Sequence, residues 1–98
     1  MPTLKATDSD LSAVETFLKK HKLKHIHARK RADAITLDAG TKDDPWPRAR
    51  ARRVTVQWWT LDMADHQGRW EQTPFRAPLD ELLTQLVESF PWILADAG

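Results

Sequence analysis

Cysteine is absent from this 98-residue chain. That absence excludes disulfide bonds, thiolate zinc sites, iron–sulfur clusters and thiol catalysis. Glycine is scarce as well, and its three positions, Gly40, Gly68 and Gly98, are too widely spaced for a phosphate-binding loop or a dinucleotide-binding fingerprint. No serine lies in a Gly-x-Ser-x-Gly turn. The sequence therefore predicts no catalytic residue and no cofactor.

Long apolar runs are also missing, since none approaches the roughly 20 residues that span a bilayer. The first ten residues, MPTLKATDSD, lack the apolar segment of a secretion signal. We therefore expect a cytoplasmic protein without a membrane partner. The length and the 41% hydrophobic content predict one small globular domain over residues 1–98.

Charge is abundant but unevenly distributed. Residues 19–31 and 48–53 form two basic blocks that contain no Asp or Glu. From residue 77 onward there is no Lys or Arg, and the four carboxylates there are Asp80, Glu81, Glu88 and Asp96. A formal net charge of +1 therefore conceals a strongly dipolar molecule.

Apolar residues recur at helical spacing near both ends of the chain. Thr7 and Asp10 fit a capping box that begins a first helix, whose apolar residues are Leu11, Val14, Phe17 and Leu18. The second helix lies between Pro78 and Pro91, and its apolar residues are Leu79, Leu82, Leu83, Leu86, Val87 and Phe90. We expect Leu82, Leu86 and Phe90 to lie in the core.

Alternating and β-branched segments between the helices indicate strands. Residues 26–37 fit one long strand or a hairpin that turns near residues 31–34, and the two prolines of residues 43–47 predict a loop before a strand from Ala49. In residues 53–63 the apolar phase changes, which predicts one strand with a bulge near Trp58–Trp59 and core positions for Val54 and Val56. Turn residues 65–68 and a returning strand over 69–73 complete a hairpin over 53–73. The pattern predicts an α+β fold in which a helix, a three- or four-stranded antiparallel meander sheet and a second helix form two layers, with both helices on one sheet face.

The basic blocks are the main functional signal. In a strand, Arg48, Arg50 and Arg52 project from one face about 7 Å apart, a spacing that suits contact with successive phosphates. The Lys19–Arg31 block extends this surface, and Trp58 or Trp59 stacks on a base if it is exposed. The predicted nucleic-acid-binding residues are Lys20, Lys22, Lys24, Arg29, Arg31, Arg48, Arg50, Arg52, Arg53 and Trp59. The alternative is a solvated basic edge that discourages aggregation, with both tryptophans in the core.

Metal chemistry is not expected. His21, His25 and His27 have spacings that metal sites use, but their neighbours are basic and the block contains no carboxylate. A small metal-dependent nuclease is a second alternative, although neither Asp62 nor Glu71 is followed two residues later by a lysine.

We therefore interpret the chain as a non-enzymatic binding module whose partner is nucleic acid or, alternatively, an acidic protein surface. The apolar residues Trp92, Ile93 and Leu94 follow the second helix, and they predict either a homodimer contact or a contact with the domain itself.

A set of short motifs resembles a small bacterial family of domains of unknown function. The motifs are Ile35–Thr36–Leu37–Asp38, Asp44–Pro45–Trp46, Ala51–Arg52, Trp59–Thr60–Leu61 and Gly68–Arg69–Trp70, followed by a leucine-rich helix. The resemblance covers residues 35–88, and the family carries an aromatic where this chain ends its last strand with Glu71–Gln72–Thr73. It supports the hairpin and implies no activity.

Overall fold

The computed structural model describes residues 5–40, 43–65, 67 and 69–90. Within them, helix α1 (Asp8–Lys20) precedes five strands and helix α2 (Leu79–Ser89) follows them. The strands are β1 (His27–Arg31), β2 (Ala34–Gly40), β3 (Pro45–Arg53), β4 (Trp59–Ala64) and β5 (Trp70–Ala77). They form one antiparallel sheet in chain order. The α+β class is confirmed, but the sheet has five strands where the sequence predicts three or four.

Helix α1 begins at the predicted capping box. The Thr7 hydroxyl accepts a hydrogen bond from the Asp10 N–H at 3.1 Å, and the Asp10 carboxylate accepts one from the Thr7 N–H at 2.8 Å. These bonds satisfy donors that have no partner inside the helix. Val14 and Leu18 are the buried residues of the helix, so its apolar stripe faces the core.

Helix α2 buries Leu82, Leu83 and Leu86, as its helical periodicity predicts. Pro78 occupies the position just before the helix, where its missing N–H costs no helical hydrogen bond. Phe90 is half-buried at the end of the helix, and its ring meets that of Phe75 edge-on at 5.4 Å. Neither described helix is long and apolar enough to cross a membrane.

The register of the sheet separates two faces. Paired residues point to the same side of a sheet. One face therefore carries those apolar side chains of β2, β3 and β4 that join helix residues in a single core cluster. No described helix residue belongs to the other face. We call it the open face, and its residues are His27, Arg29, Arg31, Ala34, Thr36, Asp38, Pro47, Arg50, Arg52, Thr60, Asp62, Ala64, Trp70, Gln72 and Arg76.

Strand β3 begins at Pro45, so the loop predicted over residues 43–47 is confirmed at residues 43–44 and wrong at residues 45–47. Pro45 pairs with Gly40 and Pro47 with Asp38, but pairing with β4 starts only at Ala49. The prolines thus lie where β3 has a neighbour on one side only, and the missing N–H groups leave no gap in a second ladder. Arg48 lies at the adjacent β-bulge.

The single strand predicted over residues 53–63 is also wrong. Strand β3 ends at Arg53 and β4 begins at Trp59, so the change of apolar phase marks the boundary between two strands. Val54 and Val56 lie in the connecting loop, where they are 42% and 67% exposed, and neither belongs to the core. The Trp58 carbonyl accepts hydrogen bonds from Val54 and Thr55 and holds this loop closed.

The first two strands form a hairpin, which decides between the two interpretations of residues 26–37. Residues 32 and 33 connect them, and Ala32 takes a left-handed φ of 54°. The β4–β5 connection falls at the predicted turn, where one carboxylate oxygen of Asp65 accepts the N–H groups of Gln67 and Arg69 at 2.8 and 2.9 Å.

Candidate functional site

The open face carries arginines on alternate strands. Cross-strand pairing produces one row of Arg29, Thr36, Arg50, Asp62 and Gln72, and a second row of Arg31, Ala34, Arg52, Thr60 and Arg76. We call them the first row and the second row. Alternate strands lie about 10 Å apart. Each row therefore presents guanidinium groups separated by the short side chains of β2 and β4.

The second row contains no acidic residue. Among the described residues, neither Arg31 nor Arg76 forms an ion pair or a side-chain hydrogen bond, and both are exposed. The nearest carboxylate oxygen to Arg52 belongs to Asp62, at 4.0 Å. These three guanidinium groups consequently keep their hydrogen-bond donors available to an anionic ligand.

The first row is organised around the buried carboxylate of Asp62, which is 1% exposed. One of its oxygens accepts hydrogen bonds from Arg50 Nε at 3.0 Å and Arg50 Nη2 at 2.7 Å. The guanidinium carbon of Arg50 lies 4.5 Å from the ring centroid of Trp70, within the range of a cation–π contact. Asp62 and Trp70 together fix the position of the Arg50 side chain.

Asp38 is the second buried carboxylate of the open face. Burial raises the pKa of Asp38 above its ordinary value, and the nearby charges of Arg29 and His27 partly oppose that shift. The Arg29 Nε atom lies 3.4 Å from the carboxylate. With five arginines and two aspartates, the open face is positively charged.

The structure brings four of the predicted binding residues together on the open face: Arg29, Arg31, Arg50 and Arg52. The prediction that Arg48 shares a face with Arg50 and Arg52 is not supported, because the β-bulge leaves Arg48 without a strand partner and breaks the alternation. Its guanidinium carbon lies 6.0 Å from the ring centroid of Trp46, which pairs with the core residue Ala39.

Arg53 does not belong to this surface. Its Nη1 atom donates to the Lys5 carbonyl at 3.1 Å and to the Asp10 carboxylate at 3.3 Å, and its Nη2 atom donates to the Val56 carbonyl at 2.8 Å. It also lies 5.5 Å from the ring centroid of Trp59. Arg53 therefore ties the start of α1 to the loop after β3, and the prediction that it contacts nucleic acid is not supported by this geometry.

The predicted role of Trp59 is wrong, because the residue is 2% exposed and belongs to the core. A buried indole offers no face to a base. Trp58, by contrast, is 44% exposed in the loop between β3 and β4.

The lysines of the first basic block lie apart from the arginine rows. Lys20 ends α1, while Lys22 and Lys24 lie exposed in the connection from α1 to β1. The two basic blocks consequently meet only where β1 carries Arg29 and Arg31 onto the open face.

Sequence reasoning missed Trp70, Arg76 and the two buried aspartates as parts of this surface. The signal for Asp62 was its alternation with Leu61, which places the carboxylate on the face away from the core. Arg76 was missed because the last strand extends to Ala77, beyond the predicted end at residue 73.

No group of three or more His, Asp or Glu side chains within the described part of the chain is arranged to hold a metal ion. Comparison with protein-family models, curated proteins and solved structures finds no significant match for the chain. The resemblance to the small bacterial family stays a prediction.

Proposed function

We propose that this domain is a non-enzymatic module that binds nucleic acid through its open face. The observation that carries the proposal is the second row, in which Arg31, Arg52 and Arg76 occupy three alternate strands with no acidic residue between them. Phosphate contacts supply most of the affinity of proteins for nucleic acids, and arginine binds phosphate through two donors at once.

The two-layer arrangement supports the same conclusion. An antiparallel sheet that is covered by helices on one side leaves its second side available. Here that side concentrates positive charge, whereas the exposed face of α2 carries Asp80, Glu81 and Glu88. A polyanion is therefore attracted to the open face and repelled by the surface of α2.

The test is fluorescence anisotropy of a labelled 12-nucleotide oligonucleotide at increasing salt. A variant that combines Arg31→Ala, Arg52→Ala and Arg76→Ala should bind at least about tenfold more weakly at low salt. Its slope of log K against log salt should be shallower by about two units, because each lost phosphate contact removes roughly 0.7–0.9 from the slope.

The matched control combines Lys20→Ala, Lys22→Ala and Lys24→Ala, which removes the same charge away from the open face. It should retain most of the affinity. Equal loss in the two variants would show that only net charge matters, and no binding by micromolar protein at low salt would refute the proposal.

A second candidate function is self-association or binding to an acidic protein. It is favoured by the acidic exposed face of α2, which complements the arginine rows in charge. Salt-dependent oligomers in analytical ultracentrifugation, lost in the triple arginine variant, would support it. The homodimer contact predicted for Trp92, Ile93 and Leu94 lies outside the described residues.

A further inference from the structure

Trp70 and Arg50 form a cation–π pair at one side of the second row, and the proposed phosphate contacts do not use this pair. Strand β5 supplies the indole and β3 supplies the guanidinium, which crosses over Asp62 on β4 to reach it. We propose that a nucleobase stacks on this pair, so that the ligand of the open face is single-stranded nucleic acid. This inference rests on the proposed function.

The pair is held ready for such a contact. Two hydrogen bonds from Arg50 end on the same oxygen of Asp62, and the guanidinium carbon lies 4.5 Å from the Trp70 ring centroid. Asp62 is itself almost wholly buried, which limits its movement. Because the side chains are ordered before the ligand arrives, little conformational freedom is lost when a base stacks on them.

The chemistry of the pair favours a base over a phosphate. Every base has a π-face that stacks on an aromatic ring or on a guanidinium plane. The charge of Arg50 is already neutralised by Asp62, so it attracts phosphate less than Arg31 or Arg76 does. An aromatic ring and a guanidinium group beside a basic row therefore suit a ligand that carries both a base and a phosphate.

Distance supports the assignment. Arg52 lies two residues from Arg50 on the same strand, about 7 Å away along β3. Trp70 pairs with Ala64 and lies two residues further from the second row than Arg50 does, so we place the phosphate on Arg52 and the base on the Arg50 side of the pair. In a duplex the base faces are covered by neighbouring base pairs, so the pair has nothing to stack on.

The test compares one labelled 12-nucleotide strand, the corresponding duplex and inorganic polyphosphate at the same salt concentration. The unmodified protein should bind the single strand about tenfold more tightly than the duplex. Trp70→Leu should reduce single-strand affinity about fivefold or more while leaving polyphosphate binding unchanged, and Trp70→Phe should retain most of the single-strand affinity. Far-UV circular dichroism and thermal melting verify that each variant folds.

The possible failures separate the two proposals. Equal affinity of the unmodified protein for single strand and duplex would overturn this inference and leave the proposed function standing, and that measurement needs no variant. If Trp58→Leu loses single-strand binding and Trp70→Leu does not, the base stacks on the loop after β3, and this inference is overturned. If the protein binds none of the three probes, the proposed function itself is refuted.

Discussion

The central residues on the two faces of the sheet are similarly shielded from solvent, but they are apolar on one face and polar on the other. On the helix-covered face, Ile35 and Leu61 are excluded from water by the side chains of α1 and α2. On the open face, Thr36 and Asp62 are buried to a similar extent although neither described helix packs on that side. Arg50 donates two hydrogen bonds to Asp62, so a long side chain of the sheet itself contributes to this burial. Burial alone therefore does not identify a core.

The largest effect is expected on the helix-covered face, in Leu86→Ala. Leu86 is fully buried, and its truncation leaves a cavity between α2 and the sheet. We expect the free energy of unfolding to fall by about 2–5 kcal/mol, a large share of the stability of a domain of this size. Urea denaturation measures the change, with Gln85→Ala on the exposed side of α2 as the control. An unaltered midpoint in Leu86→Ala would remove α2 from the core.

A smaller loss is expected on the open face, in Asp62→Ala. This substitution leaves the Arg50 guanidinium without its carboxylate partner. Because Arg50 is partly exposed, water replaces some of the lost interaction, and we expect a loss of about 1–3 kcal/mol. Gln72→Ala, in the same row but exposed, should change stability by less than about 0.5 kcal/mol. If both variants melt alike, the buried ion pair does not stabilise the open face.

The smallest effect concerns pH and Asp38. Burial raises the pKa of Asp38 above the ordinary value of 3.8, so between these two values the folded protein holds more protons than the unfolded chain. The stability contributed by this group is complete below pH 3.8 and is lost as pH rises through the raised pKa. The melting temperature of Asp38→Asn should therefore fall less between pH 3.5 and pH 7 than that of the natural protein does.

Asp8 offers a control of the opposite sign. The hydrogen bond from Lys30 and its charge lower the pKa of Asp8, so its contribution is present above pH 3.8 and lost on acidification. Asp8→Asn should lower stability slightly at neutral pH only. A pH dependence in Asp38→Asn that matches the natural protein would contradict the assignment to Asp38.

The helices were predictable from the sequence because their signals are local. The capping box of α1 and the leucine spacing of α2 each lie within one element, and both are confirmed. The sheet was harder, because the phase change between Val56 and Trp59 fits either a bulge or a strand boundary. Only the pairing of Arg53 with Trp59 distinguishes them, and that pairing depends on tertiary structure.

The open face was predictable in part for the same reason. Alternation along β3 indicated that Arg48, Arg50 and Arg52 share one side, and the structure shows this for Arg50 and Arg52 but not for Arg48 at the bulge. The contact of Arg50 with Trp70 joins residues from two strands separated by a third, and no local pattern indicates it. Similarly, Arg53 belongs to the same basic block as Arg50 and Arg52, yet it lies on the opposite face and donates hydrogen bonds to backbone carbonyls.

The meander order of the strands has a consequence for the kinetics of folding. Each strand pairs with the next one along the chain, so the sheet can assemble from successive hairpins with short loop closures. The contact between α1 and α2, by contrast, joins the two ends of the described chain. We therefore expect α1 and α2 to pack together after the hairpins have formed. Stopped-flow measurements on Leu86→Ala should then show faster unfolding with little change in the folding rate.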